Sequence, residues 1–427
     1  MNMLSIIDKH ESQVRGYVRS FPTVFREASG AELWDVDGKR YIDFFGGAGA
    51  LNYGHNPAPI VDAVVRYLQS GAIVHALDMA TEAKVQLLQS IEGLLLSPRG
   101  LHYRVQFPGP TGTNAVEAAI KLARKATGRQ NVLSFTNGFH GMTLGALSVT
   151  GNTFKRAGAG VPLTNVQFMP YSHYLGEEAD TLGYLRAFLE GGSSGIDRPA
   201  AIIVESVQAE GGVNVASTAW LRGLRELTQE LGVLLIMDDI QVGCGRTGPF
   251  FSFERAGIAP DIVTLSKSFS GLGFPLSIVL LAPELDVWEP GEHNGTFRGF
   301  NPAFVGARAA LETYWKDDAF QRETEAKGNW VHEQMLHLSS LFPSWEVELR
   351  GLGFIHGFAC VDASLPSAIS RAAFEEGLLI ETAGPEDEVL KFLAPLATPR
   401  EHLAEGFNRL ETALRRVFQQ PRERNTP

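Results

Sequence analysis

One lysine, Lys267, closes the apolar run Ile262-Val263-Thr264-Leu265-Ser266. A buried strand that carries a lone amine to its tip suits imine chemistry with a carbonyl cofactor. The strand fixes the amine in space, and apolar surroundings favour its neutral, nucleophilic form. Most lysines at strand ends are simply solvated, so the reading needs partners elsewhere in the chain. A second apolar run, Val233-Leu234-Leu235-Ile236-Met237, ends in Asp238-Asp239. The strand pleat sends these two carboxylates to opposite faces, and no histidine lies near them in sequence, so no metal site is expected. One inward aspartate instead suits a protonated heterocycle. Gly109-Pro110-Thr111-Gly112-Thr113-Asn114 opens a helical pattern, and free N–H groups at such a helix start attract an anion. A plain capped helix is the competing reading. Phe139-His140-Gly141 follows the run Asn131–Phe135 and offers an aromatic plane for stacking, although a buried Phe most often belongs to the core.

Two nucleotide-binding readings fail on spacing. No Lys-Ser/Thr follows the Gly109–Gly112 loop as a Walker loop requires, and Gly243-Cys244-Gly245-Arg246-Thr247-Gly248 lacks the dinucleotide glycine pattern.

Short apolar runs at 131–135, 166–169, 201–204, 233–237, 262–265 and 278–281 must position these groups. They alternate with helical periods such as Ile60, Val61, Val64, Val65 and Leu68. Continuously apolar strands between helices predict an α/β fold with a mostly parallel sheet covered on both faces. The boundaries expected are a large domain over 56–310 and a smaller α+β domain made by both chain ends, 1–55 and 311–420, with a flexible tail at 421–427. Ala31–Phe44 predicts a hairpin about Asp37-Gly38, and the glycine-rich 46–49 passage reads as too flexible for a regular element. Long helices are expected near 318–341 and 401–418.

The 427 residues carry a formal charge of -11 with 44% hydrophobic and 20% charged residues. That balance argues against nucleic acid or an anionic membrane as partner. Two cysteines, an opening that turns charged too early for a secretory signal, and no apolar run near about 20 residues predict a cytoplasmic protein that spans no membrane.

Taken in order, Thr111-Gly112-Thr113-Asn114, Phe139-His140-Gly141, Glu205-Ser206-Val207-Gln208-Ala209-Glu210, Asp238-Asp239-Ile240-Gln241, Ser266-Lys267 and Gly295-Thr296-Phe297 resemble the class III (ω-amino acid) aminotransferases. These are pyridoxal 5'-phosphate enzymes of fold type I, and the resemblance covers nearly the whole chain. It implies that Lys267 holds the cofactor covalently and shuttles a proton, while Asp238 pairs with the pyridine nitrogen. Gln241 would contact the ring's 3-oxygen, and Phe139 with Ile240 would sandwich the ring, His140 lying beside it. Gly112 and Thr113 would bind the phosphate, joined by Thr296 from a neighbouring subunit, which makes a homodimer with shared sites part of the expectation.

Within the class, Ala50-Leu51-Asn52-Tyr53-Gly54-His55-Asn56, Trp288–Gly299 and Ile380–Lys391 look similar to the diaminobutyrate–2-oxoglutarate group. That group moves the amine of glutamate onto aspartate 4-semialdehyde. Glu210 occupies the position of a glutamate that in many class III enzymes pairs with a substrate-binding arginine, but the arginine position is Lys391. Lysine cannot form a bidentate fork to a carboxylate, so the usual switch is not expected unchanged. Arg298 is a further candidate for a substrate carboxylate, with a surface role as its alternative. Rival readings are an ornithine- or 4-aminobutyrate-type transaminase, an aminomutase, a non-catalytic relative that only binds, and a nucleotide-binding enzyme.

Overall fold

A computed structural model describes residues 3–419; the tail expected at 421–427 lies outside the described residues. Seven strands form the central sheet: β1 (Arg104–Gln106), β2 (Val132–Phe135), β3 (Val166–Met169), β4 (Ala201–Val204), β5 (Leu234–Asp238), β6 (Ile262–Leu265) and β7 (Ile278–Leu281). Their spatial order is β1-β7-β6-β5-β4-β2-β3. Neighbours from β6 through β3 run parallel, and β7 alone runs antiparallel, between β6 and β1. Every residue of β2, β4, β6 and β7 is buried, which is why their sequences are apolar without alternation. The short edge strand β1 was not expected, because its sequence Arg-Val-Gln carries no apolar run.

Helices Gly112–Thr127 and Thr218–Leu231 cover the sheet, the first through Ala115, Val116, Ala119, Ile120 and Ala123, the second through Trp220, Leu221 and Leu224. The second helix is capped by the Ser217 hydroxyl, 3.1 Å from the Trp220 N–H, and ends at Gly232 with φ 57°. Such a cap contributes about 1 kcal/mol.

Both chain ends meet in a smaller sheet. Phe25–Ser29, Glu32–Asp35 and Arg40–Asp43 pair antiparallel, and Leu378–Leu379 adds parallel to Arg40–Asp43. A further four-stranded sheet joins Val347–Leu352, Ile355–Cys360, Val389–Phe392 and Glu381–Ala383. Helices Ala319–Leu341 and Arg400–Gln419 occupy the ranges expected for them. The two parts of the molecule are tied by Arg246, fully buried, whose guanidinium donates to the carbonyls of Phe354 (3.0 Å) and Ala394 (2.6 Å) and to Asn52 Oδ1 (2.5 Å).

The 46–49 passage differs from expectation. It is a tight left-handed turn, with φ of 54°, 58°, 54° and 83° at Gly46, Gly47, Ala48 and Gly49. A Cβ at Gly46 would run into the Leu393 carbonyl, so glycine is required there by space as well as by backbone.

Candidate active site

Parallel α/β sheets open a crevice beyond the carboxyl ends of their strands. Here β2 leads to Phe139 and His140, β4 to Glu205, β5 ends in Asp238, and β6 leads to Lys267. These residues, with Gly112, Thr113, Ile240 and Gln241, line a cavity of about 170 Å³. Strand register accounts for part of the arrangement. Asp238 sits beside Thr264 across the parallel pair, and the Thr264 hydroxyl donates to Asp238 Oδ1 at 3.1 Å. The Ile240 N–H donates to the same oxygen at 3.2 Å, and His140 Nδ1 lies 2.7 Å from Oδ2. Asp238 is thus a carboxylate held in one orientation by three donors.

Asp239 points the other way, into the protein, and accepts the Ser252 N–H at 2.9 Å. Burial, with the charges of Asp238 and Glu254, pushes its carboxyl up to about 7 from 3.8. The folded state therefore keeps a proton that the unfolded chain has lost, and stability falls as pH rises between those two values. Asp239→Asn should flatten that slope in denaturation midpoints taken at about pH 5, 6, 7 and 8. An unchanged slope would show that another group titrates.

Lys267 is half-buried, with φ 50°, and its Nζ donates to the Ala48 carbonyl at 2.7 Å. Burial lowers its pKa; Glu210 opposes this, and the positive charge of Lys391 adds to it. The left-handed turn thus has a chemical use, since the same carbonyl accepts Gln241 Nε2 at 3.0 Å. No apolar pattern marks such a turn, and only its glycine density could have flagged it.

Behind Lys267 lies a buried charged cluster. Lys391 Nζ donates to Glu210 Oε1 at 2.6 Å and stands 3.0 Å from Glu381 Oε1 without hydrogen-bond alignment. Gln241 Nε2 also donates to Glu210 Oε1, at 2.8 Å. Burial disfavours both carboxylates, yet Lys391 and Lys267 hold Glu210 well below its ordinary range. Glu381 is pushed up instead, because burial and the Glu210 charge outweigh the lysine. Lys391 stays protonated, the pull of Glu210 and Glu381 overriding its burial. Glu381 was not singled out from sequence; its signal was an acid in a hairpin strand whose register places it opposite Lys391. Glu205 was likewise missed as a site residue. Its carboxyl is buried, accepts the Phe139 N–H at 2.9 Å, and is raised by burial and by the nearby Asp238 charge.

The helix opening at Gly112 is capped by Asn114, whose Oδ1 accepts the Thr111 N–H (3.2 Å) and hydroxyl (2.8 Å). Among the described residues, the N–H groups of Gly112 and Thr113 have no backbone acceptor. A Cβ at Gly112 would lie 3.0 Å from the Ile240 side chain, so the backbone approaches the cavity only because the residue is glycine. Thr296 and Arg298 are not brought to this cavity in their own chain. Thr296 is exposed, and Arg298 turns to the His293 carbonyl (3.3 Å) and Asn294 Oδ1 (3.2 Å).

These features fit pyridoxal 5'-phosphate. A half-buried amine of lowered pKa and a fixed carboxylate line one cavity with Phe139 and Ile240, beside helix-start N–H groups that have no backbone acceptor among the described residues. When bound, that cofactor contributes an aldehyde and an electron-withdrawing ring.

Known proteins resemble the chain over almost its full length. The sequence model of the aminotransferase class-III family matches residues 14–414. A diaminobutyrate–2-oxoglutarate transaminase of Nocardia farcinica is 56% identical over 410 residues, which cover 96% of this chain and 94% of the relative. Another so named, from Halalkalibacterium halodurans, is 52% identical over 416 residues and 97% of both chains. Among solved structures, the ornithine aminotransferase from Toxoplasma gondii ME49 superposes with a TM-score of 0.84 at 24% identity, covering 98% of this chain and 95% of that one. That likeness bears on the fold: a mostly parallel sheet with helices on it. By family match, by relatives at more than half identity and by a cavity suited to the cofactor, this chain belongs to the class-III aminotransferases, enzymes that use pyridoxal 5'-phosphate.

Proposed function

We propose that the protein transfers the amine of L-glutamate to L-aspartate 4-semialdehyde, giving L-2,4-diaminobutyrate and 2-oxoglutarate. What carries the reading is the agreement of relatives at 51–56% identity, named diaminobutyrate–2-oxoglutarate transaminases, over nearly the whole chain. In this reading Lys267 binds the cofactor and moves the proton, and Asp238 holds the ring nitrogen's proton through a charge-assisted bond. Gln241 contacts the ring oxygen, Phe139, His140 and Ile240 enclose the ring, and Gly112 and Thr113 hold the phosphate. In place of the usual bidentate arginine, Lys391 would give the α-carboxylate of glutamate a single charge-assisted bond when Glu210 releases it, and return to Glu210 for the semialdehyde, which has no carboxylate on its reacting carbon.

Thr296 would complete the phosphate site of a second copy, so the working unit is a homodimer. Full activity in a species that sediments as a monomer would refute this. Two buried free cysteines support a reducing, cytoplasmic setting. No helix among the described residues is long and apolar enough to cross a membrane.

The test is a coupled assay of the holoenzyme with glutamate and a panel of ω-aldehydes, following 2-oxoglutarate. Aspartate 4-semialdehyde should lead the panel by about tenfold or more in kcat/KM, about 1.4 kcal/mol of transition-state preference. A flat profile, or a lead by glutamate 5-semialdehyde or succinate semialdehyde, removes the substrate assignment.

A further inference from the structure

The two substrates share one feature at a distance from the reacting carbon. In glutamate the reacting Cα is three bonds from the γ-carboxylate carbon. In aspartate 4-semialdehyde the reacting C4 is also three bonds from the carboxylate carbon, C1. A pocket that turns over both can therefore keep one cation for this distal carboxylate and exchange only what sits around the reacting carbon.

Phe139 also lines a cleft of about 840 Å³ whose walls include Lys155, Arg156, Glu210 and Gly211. A neighbouring cleft of about 750 Å³ adds His173 and Arg350. Most cations on these walls are already engaged. Arg156 donates to the carbonyls of Leu147 (3.1 Å), Ser148 (3.0 Å) and Thr150 (2.9 Å), which leaves it a structural brace. Arg350 is bound to Glu348 Oε2 (2.7 Å) and Asn214 Oδ1 (3.1 Å), and His173 faces Glu177 at 3.0 Å.

Lys155 differs. Among the described residues its Nζ meets no acceptor and no carboxylate; its contact is the face of Phe139, 4.5 Å from the ring centroid. Phe139 lines both the cofactor cavity and the outer cleft, so this contact places the ammonium at the junction between them. Position is supplied by the helix Thr153–Ala157, capped by Asn152 Oδ1 on the Lys155 N–H at 2.9 Å. Among the described residues neither carboxylate on the same walls, Glu210 or Glu386, pairs with Lys155; Glu210 is held by Lys391.

We propose that Lys155 is the distal carboxylate anchor for both substrates, receiving the γ-carboxylate of glutamate and the C1 carboxylate of aspartate semialdehyde across the edge of Phe139. The reading rests on the proposed function for the second substrate only. Lys155 binds and orients; it moves no proton.

The experiment compares holoenzyme with Lys155→Gln and Lys155→Arg, using glutamate and glutamine as donors. Glutamine keeps the reacting end and replaces the distal carboxylate by a neutral amide of the same shape. Lys155→Gln should raise KM for glutamate about tenfold or more, with kcat within about twofold, because the contact is made equally before and during reaction. The constant for glutamine, or its inhibition constant where it does not react, should stay within about twofold of the parent. KM for L-2,4-diaminobutyrate should rise with that for glutamate, and Lys155→Arg should recover most of both. Equal losses on glutamate and glutamine would mark Lys155 as a brace for Phe139 and overturn the proposal. No loss on either would also overturn it, and the same loss in Arg298→Gln would then locate the anchor on that arginine. A parent enzyme that ignores aspartate semialdehyde overturns the proposed reaction yet leaves the glutamate-to-glutamine comparison intact, so the two failures can be told apart.

Discussion

Lys267→Ala should lower turnover by about 10⁴-fold or more, since in the proposed reaction Lys267 is both the nucleophile and the proton carrier. Intact mass after borohydride treatment should then find no cofactor retained on the chain, whereas the parent retains one per subunit. Folding should survive. Lys267 is a half-buried amine whose pKa is lowered by desolvation, so its loss removes a poorly solvated cation rather than a packing element. The backbone there has φ 50°, and alanine meets the same strain as lysine in that region. The denaturation midpoint of the variant should therefore lie close to that of the parent. Covalent retention of cofactor on the Lys267→Ala chain at another lysine, or its absence from the borohydride-treated parent, would end the assignment.

Lys391→Met should be the most destabilising single change at the site, by about 3–5 kcal/mol, read as a shift in the half-unfolding denaturant concentration. Lys391 is wholly buried between Glu210 at 2.6 Å and Glu381 at 3.0 Å. Methionine fills much of the same volume but leaves two carboxylates without a cation in a dry region. One of them must then take up a proton, so the loss should be smaller at about pH 5 than at about pH 8. The triple replacement Glu210→Gln, Glu381→Gln, Lys391→Met should recover much of the stability, because a neutral cluster removes the unpaired charge. It should not recover turnover with glutamate, whose α-carboxylate loses its cation. Stability unchanged by Lys391→Met alone would mean that the two glutamates are already protonated in the folded protein.

The site divides by how far apart its determinants lie in the chain. Lys267, Asp238 and Phe139 each follow a run of apolar residues that is local, continuous and long enough to be a buried strand. Gly112 and Thr113 begin a helix whose opening pattern is equally local. Such signals survive in one dimension because burial on both faces of a parallel sheet demands apolar residues without interruption. The edge strand Arg104–Gln106 escapes this rule, being short and only partly covered.

Partners of these residues obey no local rule. The Ala48 carbonyl reaches Lys267 from 219 positions away, through a left-handed turn that composition alone described as a loop. Glu381 becomes a partner of Lys391 only through the register of an antiparallel pair, and of Tyr17, 3.4 Å from its Oε2, only through the packing of the N-terminal segment. Thr296 and Arg298 show the opposite case, motif residues that one chain leaves outside its own cavity.

The sequence by itself specified the fold class and brought Lys267 and Asp238 to the ends of apolar strands, because strand burial and helix opening are written in neighbouring residues. Which charges surround that amine was settled only by the folded molecule. Electrostatic pairing acts through space over a few ångströms, and it joins here groups as far apart in the chain as Glu210 and Lys391, 181 positions, whose meeting depends on the packing of the whole chain.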